Sequence, residues 1–536
     1  MKRIHKQAWG MAVLSGVLQV LIFPRPALYF LCWIAVAPLI IAILRARDPD
    51  AVQLLAEGGS SFLAPASLKQ GFFLGYASGI VWYLGSCYWV FHVMHLYGGL
   101  NVFVSAILLI MFAMYLGLYH GLFGILLALS ARKRQGYSLR ALVLAPFLWV
   151  SVELARTYVT GFPWNLLGTA QVDNIPLARI ATFTGVYGLS FEIALVNAAF
   201  AAAALVARRQ RATMLVAAIC ATIGLQVWRL VPMQAPPPNR YAVLVQENIP
   251  VKDIEWTEPA LNSTLADLAK FSVAPNNATA DDPGLIIWPE SPAPFFVTDY
   301  HFRGAMMNIA RETHSYVIAG SIGIENTGRE DVQPNVYNSA VLITPDAKWS
   351  ARYDKNHLVP FGEYVPFASL LSFAKSLTHE VGTFKPGHER KLLDLGKQQV
   401  GVFICYESIF PNEVRQFADN GADLFINISN DGWFGDTGAP GQHLNMARMR
   451  AIENERWLLR STNTGITASI DPYGRIAAVQ PRNVRAYMQA PYAYLSGKTF
   501  YTEHGDWFPI CCVIISLAAL VIRHRPEAEM PQPQPV

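Results

Sequence analysis

Eight long apolar runs constrain this chain more than any other feature: about 8–23, 27–45, 71–91, 102–129, 140–156, 190–207, 212–229 and 508–523. Stretches of that length and polarity are candidates to cross a bilayer core. A mean hydropathy of +0.27, with only 15% of 536 residues charged, agrees with a membrane protein rather than an ordinary soluble one. The first run follows Lys2, Arg3 and Lys6, as a secretion signal would, but it lacks a small-residue cleavage site. Another apolar run begins directly after Pro24, Arg25 and Pro26, so an uncleaved membrane hairpin is expected.

Basic residues orient the runs. Lys2, Arg3 and Lys6 precede the first; Arg45, Arg47 and Lys69 lie between the second and third; Arg132, Lys133 and Arg134 between the fourth and fifth; Arg208, Arg209 and Arg211 between the sixth and seventh; Arg523 and Arg525 follow the eighth. If all eight runs span, every cluster falls on one side, which the positive-inside rule makes cytoplasmic. Arg25 falls opposite, a single charge in a tight turn that does not outvote the clusters. The net charge of +4 therefore reflects membrane orientation and implies no nucleic-acid partner. The expected organisation is a seven-helix transmembrane bundle at 1–229, an external α/β domain at 230–507, an eighth helix at 508–523 and a disordered cytoplasmic tail at 524–536.

Within the bundle, the external segment 157–189 carries Gly161, Phe162, Pro163, Trp164 and Asn165, too rich in glycine, proline and aromatics for a spacer; Trp and Tyr favour the headgroup level. Glu153 and Arg156, three apart on one helical face, read either as a mutual ion pair or as a lipid headgroup contact. His120 is equally ambiguous, and a lone intramembrane histidine is not a metal site.

After a linker with Pro232, Pro236, Pro237 and Pro238, the pattern changes to short strands alternating with helices. Strands are predicted at 241–249, 285–290, 315–323, 338–344, 400–407, 424–431, LLRSTNTG (458–465) and 466–470, and helices at 258–271, 302–313, 411–420 and 441–456. Sheet and helices around one core make a layered α/β domain.

Three of these segments end in reactive groups. GVFICYESIF (401–410) delivers Cys405, the only thiol outside the apolar runs, to the end of a buried strand ahead of a helix that starts near Pro411, with Glu407 two residues on. Free amide hydrogens at such a junction hold developing negative charge, although the same stretch also suits a small buried hydrophobe. Glu290 closes LIIWPE before Ser291 and Pro292, and Lys355 lies in the structured loop YDKNHLVPFGEYVP. Carboxylate, ammonium and thiol form a coherent set: the first takes the thiol proton, the thiolate attacks a carbonyl, and the ammonium offsets the oxyanion. No ladder of His and Cys ligands supports a metal, since neither His443 with Asn445 nor His357 alone makes a site, and no phosphate-binding glycine loop is present.

WPE at 288–290, K-x-H-L-V-P-F-G-E at 355–363 and C-Y-E at 405–407 resemble the motifs of the nitrilase superfamily. Their wording, together with the eight membrane runs, is similar to the apolipoprotein N-acyltransferase family of Gram-negative bacteria. The resemblance implies a nitrilase-like α-β-β-α sandwich on the periplasmic face of an eight-helix inner-membrane bundle. It implies that Glu290 is the general base, Lys355 the oxyanion-stabilising lysine and Cys405 the acylated nucleophile, with Glu363, Tyr406, Glu407 and Trp256 supporting the site and no cofactor or metal. The implied reaction takes an acyl chain from a phospholipid, usually phosphatidylethanolamine, through a thioester to the α-amine of the diacylglyceryl-cysteine that begins an apolipoprotein. Glu247 departs from the family, which usually has glycine there.

The stretch 364–377, with Tyr364, Val365, Phe367, Leu370, Leu371, Phe373 and Leu377, reads as an apolar loop dipping into lipid or as an amphipathic helix packed on the sandwich. Two other classes compete: a membrane amidase or nitrilase using the same three residues with water, and a transporter or receptor, which leaves the lone external thiol unexplained.

Overall fold

The computed structural model describes residues 4–47, 63–132, 138–206, 208–228, 230–252, 255–273, 278–279, 281–291, 293–326, 333–364 and 384–522. Lys2, Arg3, Lys133, Arg134, Arg523 and Arg525 of the basic clusters, Pro292, the stretch 365–377 and the tail 524–536 lie outside the described residues.

The N-terminal helices are α1 (Lys6–Leu21), α2 (Ala37–Leu44), α3 (Leu68–Ser86), α4 (Val102–Ser130), α5 (Arg140–Thr160), α6 (Val186–Leu205) and α7 (Arg208–Trp228). Among the described residues, four helices are long and apolar enough to cross a membrane: α4, α5, α6 and Gln210–Val227 within α7. The expectation of eight spans thus meets, among the described residues, four helices that combine the length and the apolarity to span. The other runs form α1, the short apolar Tyr29–Leu44, the glycine- and serine-bearing α3 and the 16-residue Trp507–Ile522. A 16-residue helix reaches only about 24 Å, short of a hydrocarbon core roughly 30 Å thick.

Helices α3 and α4 pack through small residues. A Cβ on Gly75 would strike the carbonyl of His120, and one on Gly124 the carbonyl of Gly71, so glycine at these positions lets two backbones meet. His120 faces Gln19 Oε1 at 3.2 Å. Glu153 and Arg156 find partners other than each other: Glu153 Oε1 accepts from Leu167 N at 2.8 Å, while Arg156 donates to the Tyr83 hydroxyl at 2.8 Å with its guanidinium 5.3 Å from the Trp82 ring.

Beyond the linker the chain forms β1 (Arg240–Gln246), α8 (Glu258–Val273), β2 (Gly284–Ile287), α9 (Tyr300–Thr313), β3 (Ser315–Glu325), β4 (Asn335–Ile343), β5 (Trp349–Asp354), β6 (Leu392–Asp394), β7 (Gln399–Ile404), α10 (Pro411–Asp419), β8 (Leu424–Ser429), α11 (Ala439–Asn454), β9 (Leu458–Thr462), β10 (Thr467–Ile470), β11 (Ile476–Gln480), β12 (Ala486–Tyr492) and α12 (Trp507–Ile522). Two six-stranded sheets result, ordered β12-β1-β2-β3-β4-β5 and β11-β10-β9-β8-β7-β6. Successive strand residues point to opposite faces. Ala242, Leu244, Leu285, Ile287, Ile318 and Leu342 meet Val400, Val402, Ile404, Leu424 and Ile426 between the sheets, while Val243, Val245, Ile286 and Val317 face Leu265, Leu268, Phe302 and Met306 of α8 and α9. Both faces of the central strands are therefore apolar, as in any sheet covered on both sides. With α10 and α11 against the second sheet, the layers run helix, sheet, sheet, helix.

The strands that lead to Glu290 and Cys405 end earlier than expected: β2 stops at Ile287, not Glu290, and β7 at Ile404, so Cys405 opens a 3-10 turn through Ile409. Strands β5, β6, β11 and β12 were not predicted; β11 is largely exposed and lacks a buried apolar face.

One apolar cluster runs from the bundle into the sandwich. Tyr406, Ile409, Phe410, Ala439, Met446, Met449 and Ile452 pack with Leu148, Trp164, Tyr187 and Leu189. Polar contacts cross the same joint: Glu453 Oε1 accepts from Val186 N, the first residue of α6, at 3.0 Å, and Tyr158 donates to Asp506 at 2.6 Å.

Candidate active site

The chain reaches Glu290 by running past β3 at close range. Gly320 sits where a Cβ would strike the Pro289 carbonyl and the Ser291 amide, so this strand position accepts no side chain. Glu290 Oε2 then accepts from Asn430 N at 2.8 Å, and Oε1 from Asn338 Nδ2 at 2.8 Å and Lys355 Nζ at 3.4 Å. Lys355 follows β5, is 1% exposed, and is tied by its own N to Asn338 O at 2.8 Å. Its shorter side-chain contact is to Glu363 Oε1, at 2.9 Å; Glu363 Oε2 accepts from Val359 N at 2.7 Å.

Cys405, the first residue beyond β7, has φ +49° and is 8% exposed. Burial pushes its thiol well above the ordinary range, the Glu290 carboxylate raises it further, and Lys355 opposes them. Burial alone would lower Lys355, but Glu363 and Glu290 outweigh it and hold the side chain as an ammonium. The resting cluster is therefore a neutral thiol beside a base and a fixed cation, an arrangement in which thiolate forms as its proton is removed rather than standing ready.

Glu407 does not lie beside Cys405 on a continuing strand. The 3-10 turn folds it back so that Oε2 accepts from Ile404 N at 2.6 Å, while Oε1 accepts from Tyr353 Oη at 2.8 Å, Asn356 N at 2.7 Å and His357 N at 3.1 Å. It joins the Lys355 loop to the Cys405 strand, and burial raises its pKa to about 6. Tyr406 donates to Gly161 O of the bundle at 3.0 Å. Trp164, expected at headgroup level, is 1% exposed; it donates to Gln442 Oε1 at 2.7 Å and stacks on His443 with centroids 5.8 Å apart. Trp256 is partly buried against the outer core formed by the first sheet with α8 and α9.

Sequence reading missed Asn338 and Asn430, which hold Glu290, and a buried group behind Cys405. Arg460 Nη2 grips both oxygens of Asp431, at 2.9 and 2.8 Å, and lies 3.0 Å from His443 Nδ1; His443 Nε2 lies 3.0 Å from Cys405 O. Burial and then Arg460 lower the His443 pKa, so the ring is neutral. Nδ1 lies 3.0 Å from both Asp431 Oδ1 and Arg460 Nη2, and a bond from Nε2 to Cys405 O requires the proton on Nε2, because a carbonyl only accepts. Burial alone would raise Asp431, but Arg460 and His443 hold it as a carboxylate. The available signal was NISND (427–431), polar residues inside an otherwise apolar buried strand and its exit. Among the described residues, no group of three or more His, Cys, Asp or Glu is placed to hold a metal ion.

Two family models match the chain: the carbon-nitrogen hydrolase model over residues 244–491 and the apolipoprotein N-acyltransferase N-terminal domain model over residues 15–199. The apolipoprotein N-acyltransferase of Geobacter metallireducens is 37% identical over 535 residues, covering 97% of this chain and 96% of the relative. Those of Shewanella oneidensis and Methylococcus capsulatus are 32% and 34% identical, covering 85% and 84% of this chain and 88% of each relative.

Proposed function

Since the chain belongs to the apolipoprotein N-acyltransferase family, we propose that it transfers an acyl chain from a phospholipid to the α-amine of the N-terminal diacylglyceryl-cysteine of apolipoproteins, by way of a thioester on Cys405. The observation that carries this reading is a buried neutral thiol, flanked by Glu290 and Lys355, in a sandwich whose apolar cluster is continuous with the helical bundle.

The Glu290 carboxylate takes the thiol proton as sulfur attacks an ester carbonyl of the donor. The tetrahedral oxyanion forms near the Lys355 ammonium, a charge already in place and desolvated. As the carbon–oxygen bond breaks, Glu290 returns the proton to the leaving alkoxide, and lysophospholipid departs. In the second half the acceptor amine attacks the thioester, Glu290 takes its proton, and the amide forms as the thiol is regenerated. Glu363 fixes Lys355, Glu407 fixes the two loops, Tyr406 ties the nucleophile turn to the bundle, and Trp256 supports the outer core.

Phosphatidylethanolamine is the proposed donor. The bundle spans the Gram-negative inner membrane eight times at residues 1–229 and 508–523, with the 230–507 domain periplasmic. The shorter helices fit this reading where neighbouring protein or local thinning of the bilayer shortens the distance to be crossed.

Intact-protein mass spectrometry tests the chemistry. Full-length protein in detergent with phosphatidylethanolamine and no acceptor gains one hydroxylamine-labile acyl group, absent in Cys405→Ala. A diacylglyceryl peptide with a free N-terminal amine discharges it into an amide. An adduct that persists in Cys405→Ala, or release only of free fatty acid, overturns the reading in favour of another nucleophile or a hydrolase.

A further inference from the structure

We propose that His443, fixed by Asp431 and Arg460, is a positioning residue that holds Cys405 in its reactive backbone conformation; the proposal rests on Cys405 being the nucleophile. Cys405 occupies the left-handed region at φ +49°, which a side-chain-bearing residue keeps only when its surroundings impose it. Pairing of β7 with β8 ends at Ile404, opposite Ile428, so the sheet does not impose it. The peptide carbonyl of Cys405 is instead held by His443 Nε2 at 3.0 Å, and the Ser408 hydroxyl lies 2.8 Å from the same nitrogen.

The histidine is itself locked. It is fully buried in α11, with Nδ1 3.0 Å from both Asp431 Oδ1 and Arg460 Nη2, and Ser429 Oγ donates to Asp431 Oδ1 at 2.8 Å. Arg460 also donates from Nη1 to Asn427 Oδ1, and Asn427 Nδ2 holds Phe403 O at 2.9 Å. One network thus grips the carbonyls of Phe403 and Cys405 from behind, on the two sides of the point where strand becomes turn. Buried charge of this kind replaces apolar packing at a cost in desolvation, and a well-attested return for that cost is a unique geometry. Here the geometry is the direction of the Cys405 side chain between Glu290 and Lys355.

The test compares His443→Gln, His443→Asn and His443→Leu in the full-length protein in detergent. A Gln amide reaches the position of Nε2 and restores a donor to Cys405 O; an Asn amide stops near Nδ1, facing Asp431 without reaching the nucleophile. Alkylation of Cys405 by iodoacetamide needs no lipid and reads the thiol alone, whereas thioester formation from phosphatidylethanolamine reads the first half-reaction. With melting temperatures of the Gln and Asn variants matched, we expect His443→Asn to lose about 100-fold in both rates, the scale at which small misplacement acts, with KM for phospholipid unchanged. His443→Gln stays within about tenfold of the native rates, because a donor again reaches the carbonyl. His443→Leu follows His443→Asn if it folds; the Gln and Asn pair decides the matter if it does not. Equal rates in the Gln and Asn variants, or native alkylation in either His443→Asn or a folded His443→Leu, overturn the proposal. Loss of the acyl adduct in native protein, with alkylation of Cys405 intact, instead overturns the acyl-donor reading and leaves the clamp standing on the alkylation result.

Discussion

The Lys355 ammonium lies closer to Glu363 than to Glu290, 2.9 Å against 3.4 Å. Glu363 thereby takes the nearer contact of a cation that stands between two carboxylates. In Glu363→Gln the ammonium is left with Glu290 as its one carboxylate partner, and the Lys355 charge is no longer held in place by Glu363. We expect thioester formation to slow by about 10- to 100-fold, less than the roughly 10²- to 10⁴-fold loss expected for Glu290→Gln, which removes the base. Single-turnover acylation monitored by mass spectrometry checks the order; a Glu363→Gln enzyme at native rate removes Glu363 from this role.

Lys355→Met keeps most of the stem but removes the charge that the proposed mechanism sets beside the oxyanion. Acylation should fall by about 10²- to 10³-fold, the scale seen when one oxyanion donor is lost, and Lys355→Arg should not restore it, because a planar fork cannot place charge at the same point. Acylation by Lys355→Met at the native rate would exclude the oxyanion role.

Glu407→Gln should destabilise the sandwich. All four donors around this carboxylate are N–H or O–H groups, so whichever way the amide turns, one donor faces another. An unsatisfied buried donor costs about 1–3 kcal/mol. Thermal melting in detergent measures the loss, and an unchanged midpoint would count against it.

Glu247 gives a pH signature. It is buried 3.4 Å from Arg485 Nη2, and burial raises its pKa from 4.5 to about 7. Between those values the native state binds more protons than the unfolded one, so stability falls as pH rises through the window. The favourable contribution is complete below pH 4.5 and lost above about 7. Glu247→Gln should leave stability near pH 4 unchanged and add about 1–3 kcal/mol at pH 8. Parallel melting profiles for the two proteins across that range would refute this.

A reporter active only in the periplasm should work when fused near residue 270 and fail near 135 or 210. Activity at 210 would break the eight-span topology.

Legibility followed the length over which each signal is written. WPE, the Lys355 loop and C-Y-E are contiguous, and buried strands announce themselves as apolar runs, so the segments holding Glu290, Lys355 and Cys405 were readable one by one. That they converge was not, since a sequence separation of 65 between Glu290 and Lys355 carries no record of which strand ends share a pocket. Asn338 and Arg460 escaped for a related reason: each is a polar residue on a strand whose role appears only once its neighbours in space are known. Strands β11 and β12 were missed because exposed edge strands need little apolar patterning. The bundle was legible in composition, but the breaks and short lengths of its helices depend on packing.

Because Tyr406, Phe410 and Met449 share one apolar body with the bundle, and Glu453 is bonded to the first residue of α6, the thiol stands at a constant height relative to the helices. Substrate delivery then becomes a two-dimensional problem. Turnover in vesicles should follow the mole fraction of donor in the surface rather than its bulk concentration, so that diluting the donor with an inert lipid slows the enzyme while diluting the vesicles with buffer does not.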